Sequence, residues 1–451
     1  MKTKKLLFLI FAIFFAGNLF AQEISKTEIK KIPTIFSIDG EYRSRFDNFT
    51  EGGQNILTRE SSGYTNLLGQ RARLSLDFSN KKIATKVSFQ DVRYFGQNKD
   101  VDKIWSSTNG LGFSVHEAWG KYNFVNNENK TIGVKIGRQE ITFMDFRIMS
   151  NKNWSHQAAA YDAVMFQSDN REFGVKWNVG FAYNSVDVIG TAAPYRYLGI
   201  ANVSKKIANI ITLEVNDLYE GFEQDKEFAN GIQDSTYFRN TIGFTHAIEK
   251  WGVKLFGSVY YQHGLQKNLN DIIRAYMASP NISYTYDKKY SIAFGYDYYS
   301  GRAKTDTTDK DIYKVFQAPY ATYHRYFGYT DFNKTLINEG FGMQDIHLKF
   351  VAKLHTKTTI ELAAHRVSYV KLTTYFNATG KKIIFTNVGH DLGLQINQKL
   401  GKSVDVSVSY SVMLPSKEFV EYKLGNGINA QMPSYLWVMF SFKPNLFKSV
   451  K

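Results

Sequence analysis

Strand-length segments with one apolar face and one charged face recur along this chain, and they restrict its fold more than any other feature. In 36–47, Phe36, Ile38, Gly40, Tyr42 and Phe46 share one face, while Ser37, Asp39, Glu41, Arg43, Arg45 and Asp47 share the other. The same period of two sets Ala72, Leu74, Leu76 and Phe78 against Arg71, Arg73, Ser75 and Asp77. It returns in 175–183, 345–354 and 403–412. A strand this charged on its second face cannot be buried on both sides. Beyond the N-terminal segment no run of about 18 apolar residues occurs, so a membrane-spanning helix is not expected. Yet aromatics make up 16% of the residues, with Tyr 29 and Phe 35. An all-β fold, a transmembrane antiparallel β-barrel, is the expectation.

The connections support it. Short polar turns fall at 80–82, 126–130, 169–170, 205–206, 249–250, 287–289, 355–357 and 401–402. Longer segments lie near 48–66, 96–111, 141–159, 185–194, 220–235, 263–271, 301–340, 372–386 and 415–433. Short and long alternate, as periplasmic turns and extracellular loops do, and counting strands between them gives about 18. The last strand, 434–442, is expected to close against the first, and the tail beyond Lys443 to lie outside the sheet.

Residues 1–21 read as a signal peptide: Lys2, Lys4 and Lys5, an apolar run from Leu6 to Phe15, and Ala21 before the cleavage point. Its removal takes three lysines and lowers the formal charge from +15 to +12. The expected layout is signal peptide 1–21, periplasmic segment 22–34, barrel 35–443 and tail 444–451, in the outer membrane of a Gram-negative-type cell. With Cys 0, there is no lipoprotein anchor, disulfide or thiolate metal site.

The stretch 131–166 combines a strand, Ile132, Val134 and Ile136 alternating with Gly133, Lys135 and Gly137, with a long polar loop. The rhythm is expected to break at Arg138, so that Arg138 and Arg147 reach the lumen axis, oriented by Glu140, Asp145 and Asp162. Arg43, Arg45, Arg71, Arg73, Arg93, Arg138 and Arg147 then form a lumenal anion ladder, because guanidinium binds carboxylate bidentately and keeps its charge. Asp39, Glu41, Asp77, Asp91, Glu117 and Asp162 are the expected partners; the alternative is a merely wet, charged wall. The longest connection, 301–340, is expected to control access through Tyr323, His324 and Arg325, beside Pro319, Tyr320, Tyr326 and Phe327. The turn lysines Lys81, Lys82, Lys205, Lys206, Lys288 and Lys289 read as solvated turns, or as contacts to lipid phosphate.

The chain resembles the alginate export family of outer-membrane porins. The carriers are Glu41-Tyr42-Arg43-Ser44-Arg45-Phe46, Arg71-Ala72-Arg73-Leu74, Gln90-Asp91-Val92-Arg93-Tyr94-Phe95-Gly96 and His116-Glu117-Ala118-Trp119. To these add Gly137-Arg138-Gln139-Glu140, the run from Asp145 and Arg147 through Trp154 to Tyr161-Asp162, and Gly389-His390-Asp391-Leu392. Gly295-Tyr296-Asp297 with Ser300-Gly301, and His324 with Gly328 and Asp331, match more weakly. The resemblance implies an 18-stranded barrel with an arginine-rich constriction passing an anionic polyuronate.

No enzyme motif stands out: there is neither a Gly-x-Ser-x-Gly elbow nor a His-Glu-x-x-His pair. Asp306, Asp309 and Asp311 miss the calcium-loop spacing. No cofactor, metal or nucleic acid is expected. The expected function is a channel for anionic saccharides or other organic anions in contact with outer-membrane lipids. The alternatives are a nonspecific diffusion porin, a barrel-embedded hydrolase and a surface adhesin. Whether a periplasmic partner exists stays open.

Overall fold

Strands that are apolar outside and charged inside satisfy every backbone hydrogen bond within a membrane only by closing into a cylinder. A computed structural model describes residues 32–50, 57–60, 62–96, 112–184, 195–228, 231–266, 271–303, 312–377 and 379–451. Contacts divide the chain into Met1–Ile32 and Pro33–Lys451, and the second unit is the barrel. The signal segment 1–21 and Asp306, Asp309 and Asp311 lie outside the described residues.

Twenty segments share one sheet. Ile312–Tyr313 is a two-residue pairing, and Asn445–Val450 continues the last strand, which leaves eighteen staves among the described residues. In chain order they are β1 (Ile35–Thr50), β2 (Tyr64–Ser79), β3 (Ile83–Tyr94), β4 (Gly112–Asn126), β5 (Lys130–Gln139) and β6 (Tyr161–Asn170). Then come β7 (Val175–Tyr183), β8 (Tyr197–Ile207), β9 (Ile211–Phe228), β10 (Gly231–Lys250), β11 (Val253–Leu265) and β12 (Ile272–Tyr286). The last six are β13 (Tyr290–Tyr299), β14 (Met343–His355), β15 (Thr358–Phe376), β16 (Lys382–Lys399), β17 (Val404–Pro415) and β18 (Ser434–Phe442). Neighbours are antiparallel throughout, and β1 closes the cylinder by pairing β2 on one edge and β18 on the other, from Tyr42↔Phe442 to Phe49↔Tyr435.

Two expectations are corrected. The tail does not leave the sheet: after Pro444 interrupts the pairing, Asn445–Val450 rejoins β1 from Asp39↔Asn445 to Ile35↔Val450. Without it the lower half of β1 would present an open edge. The segment 220–235 is not a loop but the upper part of one long hairpin, β9 and β10, paired as far as Phe228↔Gly231.

The faces sort as the period predicts. Ile136, Phe166, Phe181, Phe294, Leu348, Leu394 and Phe440 point outward and are exposed, whereas Arg71, Ser88, Asn216, Thr245, Asp345 and Ser409 are buried inside. An outward apolar girdle around a polar interior spans a bilayer, as outer-membrane barrels do. The apolar packing sits in the long-loop half of the lumen. There Phe143, Ile148 and Met149 of the β5–β6 loop meet Phe316, Phe327, Phe332, Leu336 and Phe341 of the β13–β14 loop. A short helix, α1 (Lys417–Leu424), capped by Ser416, adds Phe419 to this plug.

Candidate functional site

Four of the expected arginines do face the lumen. Arg43 and Arg71 are cross-strand partners on β1 and β2, and so are Glu41 and Arg73. Placing like charges side by side is costly unless strong acceptors take them. Here the acceptors come from the tip of the β5–β6 loop. Arg43 donates to Asn153 O at 2.8 Å and Ser155 O at 2.7 Å. Arg71, with no exposed side-chain surface, donates to His156 O at 3.1 Å, to Asn153 Oδ1 at 3.0 Å, and to Glu41. Arg45 donates to Asp47 at 2.8 Å and to Trp154 O at 3.1 Å. Arg73 reaches Gln90 at 2.9 Å. These guanidiniums hold a loop across the lumen.

The loop is seated by shape as well. The His156 ring lies over Gly69, where a Cβ would come within 2.6 Å of Nε2, so only glycine admits it. Burial, and then Arg45, Arg43 and Arg71, push the His156 imidazole down to about 2, so it stays neutral. Burial raises Glu140, but hydrogen bonds from His116 at 2.7 Å and Asn151 at 2.8 Å outweigh it and hold the carboxyl at about 2. The backbone is strained to fit: Phe146, Lys152 and Ala158 adopt left-handed φ of 57°, 47° and 56°.

The β13–β14 loop meets this tip. Tyr323, His324 and Arg325 form one 3-10 turn, and His324 stacks on Trp154 with centroids 3.7 Å apart and planes 4° off parallel. Arg45 lies 4.4 Å from the Trp154 ring centroid, and Trp437 of β18 packs edge-on at 5.0 Å. His324 is fixed by Asp331 at 2.8 Å. Tyr323 donates to Ala318 O at 2.6 Å, and the Arg325 guanidinium sits 4.9 Å from the Phe146 ring centroid. Further seams join the loops: Ser150 Oγ donates to Tyr320 O at 2.7 Å, and Lys152 Nζ to Pro319 O at 2.6 Å.

Other expected site residues sit elsewhere. Arg138 does not turn into the lumen: β5 keeps its rhythm through Gln139, so Arg138 shares the outward face of Ile132, Val134 and Ile136. It pairs across strands with Asp162 at 2.9 Å, their side chains 42% and 58% exposed. Arg93 is likewise outward, on Asp91 at 2.6 Å. Arg147 is inside the barrel but sealed in its wall, 1% exposed, bound to Asp297 at 2.9 Å and Tyr299 OH at 2.9 Å, with Tyr326 stacked at 3.8 Å. Asp145 accepts the backbone N–H of Arg147 at 3.1 Å rather than its guanidinium. Glu117 lines the lumen, but its partner is Lys86 at 2.6 Å.

One feature was not expected. At the short-turn mouth a cavity of about 770 Å³ is lined by Lys288, Lys289, Lys353, Lys357, Lys399 and Lys443, and its one carboxylate is Asp405. These lysines come from the β12–β13, β14–β15 and β16–β17 turns with their flanking strand ends and from the end of β18, so only the barrel brings them together.

A closed eighteen-stave barrel with a polar lumen, two inward loops and short turns on the side of both described ends defines an outer-membrane channel fold. The comparisons agree at the level of fold. No family model matches the chain, and no curated protein matches it in sequence. Among solved structures it is similar to an OccD1 (OprD) variant, with 9% identity over 93% of this chain and 98% of that one, TM-score 0.56. It is also similar to two Pseudomonas aeruginosa proteins. For OccK9 (OpdG) the identity is 10% over 91% and 98%, TM-score 0.56. For OccK10 (OpdN) it is 8% over 91% and 99%, TM-score 0.55.

Proposed function

We propose that this protein conducts organic anions across the outer membrane, acidic saccharides among them. The observation that carries the reading is the lysine-lined mouth, six ammonium groups around about 770 Å³, of which Lys289 is paired with Asp287 at 2.9 Å and the others face Asp405 as the one carboxylate of the lining. A vestibule of one sign concentrates counter-ions at a pore entrance and raises their rate of entry. The polyuronate implied by the family resemblance is one member of this class.

Passage runs through the two loops. In the closed form, backbone carbonyls of Asn153, Trp154, Ser155 and His156 fill the donor positions of Arg43, Arg45 and Arg71. A carboxylate takes a guanidinium through two parallel N–H···O bonds and an opposite full charge, which single backbone carbonyls do not supply. An anionic solute therefore competes with the loop for the same guanidiniums, and binding it favours the open form. A neutral sugar has no such lever.

Proteoliposome swelling tests this. Uronic acids should enter faster than neutral sugars of equal size, and replacing Lys289, Lys357, Lys399 and Lys443 together by Gln should reduce the preference to what the loop arginines leave. Equal rates in the parent protein would favour the diffusion porin and overturn the reading.

A further inference from the structure

Away from the arginines, β13–β16 carry a second buried polar group. Asp297, Asp345 and Asp391 all lie inside the wall with no exposed surface. Asp297 is neutralised by Arg147. Among the described residues no Arg or Lys ion pair reaches Asp345, whose neighbours are His365 Nδ1 at 2.7 Å and His347 Nδ1 at 3.6 Å. Register explains the grouping: His347 and His365 are cross-strand partners, and Asp345 is two residues along on the same face.

The tautomers make the group unusual. His347 Nε2 lies 2.9 Å from Asn281 Oδ1, an acceptor, because Asn281 Nδ2 donates to Ser279. Nε2 therefore carries the proton and Nδ1 presents a bare lone pair. That lone pair has no hydrogen-bond partner, nor has Asp345 Oδ1. The His347 Nδ1 lone pair lies 3.6 Å from Asp345 Oδ2, the oxygen that His365 Nδ1 also reaches, so three ligand atoms converge inside a wall, an arrangement that favours a cation between them.

We propose that Asp345, His347 and His365 bind a divalent transition metal, with zinc the best match, through one carboxylate oxygen and the two Nδ1 atoms. All three ligand atoms lie within 4.8 Å of one another. Ligands about 2.0–2.2 Å from a tetrahedral zinc sit roughly 3.3 Å apart, between the 2.7 and 3.6 Å seen here. Two imidazoles and a carboxylate are the donors zinc takes, the fourth position being left for water. Asn281 is the outer-sphere partner that fixes the His347 tautomer. Binding displaces the proton His365 shares with Asp345 into solvent, so affinity rises with pH. The chain offers a second three-residue group, His116, Glu117 and Glu140. It is less suited, because Lys86 already neutralises Glu117 at 2.6 Å and Asn151 occupies Glu140.

The test uses the whole folded barrel in detergent, stripped with chelator, equilibrated with zinc and measured for bound metal. The parent should retain one zinc per chain. Asp345→Asn and His365→Gln should retain none, and Glu140→Gln should retain one. Because changes at the two buried positions can impair folding, His347→Gln, at the more open edge, is measured alongside. Each barrel is checked for its heat-dependent shift in electrophoretic migration. Cobalt(II) in the parent should give the visible bands of a tetrahedral site. A parent without zinc overturns the proposal and leaves Asp345 and His365 a proton-bridged pair. So does a folded His347→Gln barrel with full metal content, or loss of the metal on Glu140→Gln alone.

Discussion

Replacing Trp154 by alanine removes the aromatic contact at the tip where the two inward loops meet. It deletes the parallel stack on His324 at 3.7 Å, the edge contact with Trp437 at 5.0 Å and the face under Arg45 at 4.4 Å. An aromatic pair contributes about 0.5–1.5 kcal/mol beyond its area, and a desolvated cation–π contact about 1–2 kcal/mol. Because neighbouring contacts do not add fully, about 2–4 kcal/mol is the reasonable loss to the closed form. That corresponds to roughly 30- to 1000-fold in the closed-to-open ratio. The backbone carbonyl of residue 154 still accepts from Arg45, and Asn153, Ser155 and His156 keep their bonds to Arg43 and Arg71, so the barrel stays folded. The assay is single-channel recording in planar bilayers, read as the fraction of time open. Trp154→Phe should fall between parent and alanine. A folded Trp154→Ala barrel with the parent's open fraction would show that the loops do not close the pore through this contact.

Other outcomes follow from the same contacts. Gly69→Ala places a Cβ 2.6 Å from His156 Nε2 and should raise the open fraction without removing any charge. Glu140 has its folded pKa lowered from 4.5 to about 2, so its hold on Asn151 is complete above pH 4.5 and is lost as pH falls toward 2. Opening should therefore increase over that window, and Glu140→Gln should remove the step. Arg147→Met leaves Asp297 buried without its partner and should cost about 3–5 kcal/mol in denaturant unfolding, against little effect from the exposed Arg138→Ala. Arg93→Ala and Arg138→Ala should also leave conductance and uronate block unchanged, since both side chains face outward.

The barrel was legible because a cylinder in a membrane repeats one rule, apolar out and polar in, along every stave. The alternating connections carried the strand number. Where the reading missed, the cause was local. The rhythm does not break at Arg138, whose phase with Ile132, Val134 and Ile136 points it outward. Arg147 lies in the wall rather than the lumen because Asp297, far along the chain, pairs with it there, and nothing in the neighbouring sequence shows this. The tail's return is not visible in the sequence because Pro444 ends the pattern, while the edge of β1 that recaptures it lies at the other end of the chain. The lysine mouth and the Asp345–His347–His365 group share one reason for being missed. Each is assembled across staves by register, so spacing within a segment carries no trace of it. The strand period puts Arg43, Arg45, Arg71 and Arg73 inside, but their use as rests for a loop depends on carbonyl positions set by the fold.

The zero-current potential of the reconstituted channel under a potassium chloride gradient tests the central claim most directly. With six lysines around the mouth against Asp405 and the Asp287 paired to Lys289, the potential should carry the sign of chloride preference. Replacing Lys289, Lys357, Lys399 and Lys443 by Glu should reverse it. A parent channel with no preference or a preference for potassium would contradict the account, as would a chloride preference undiminished by the four replacements.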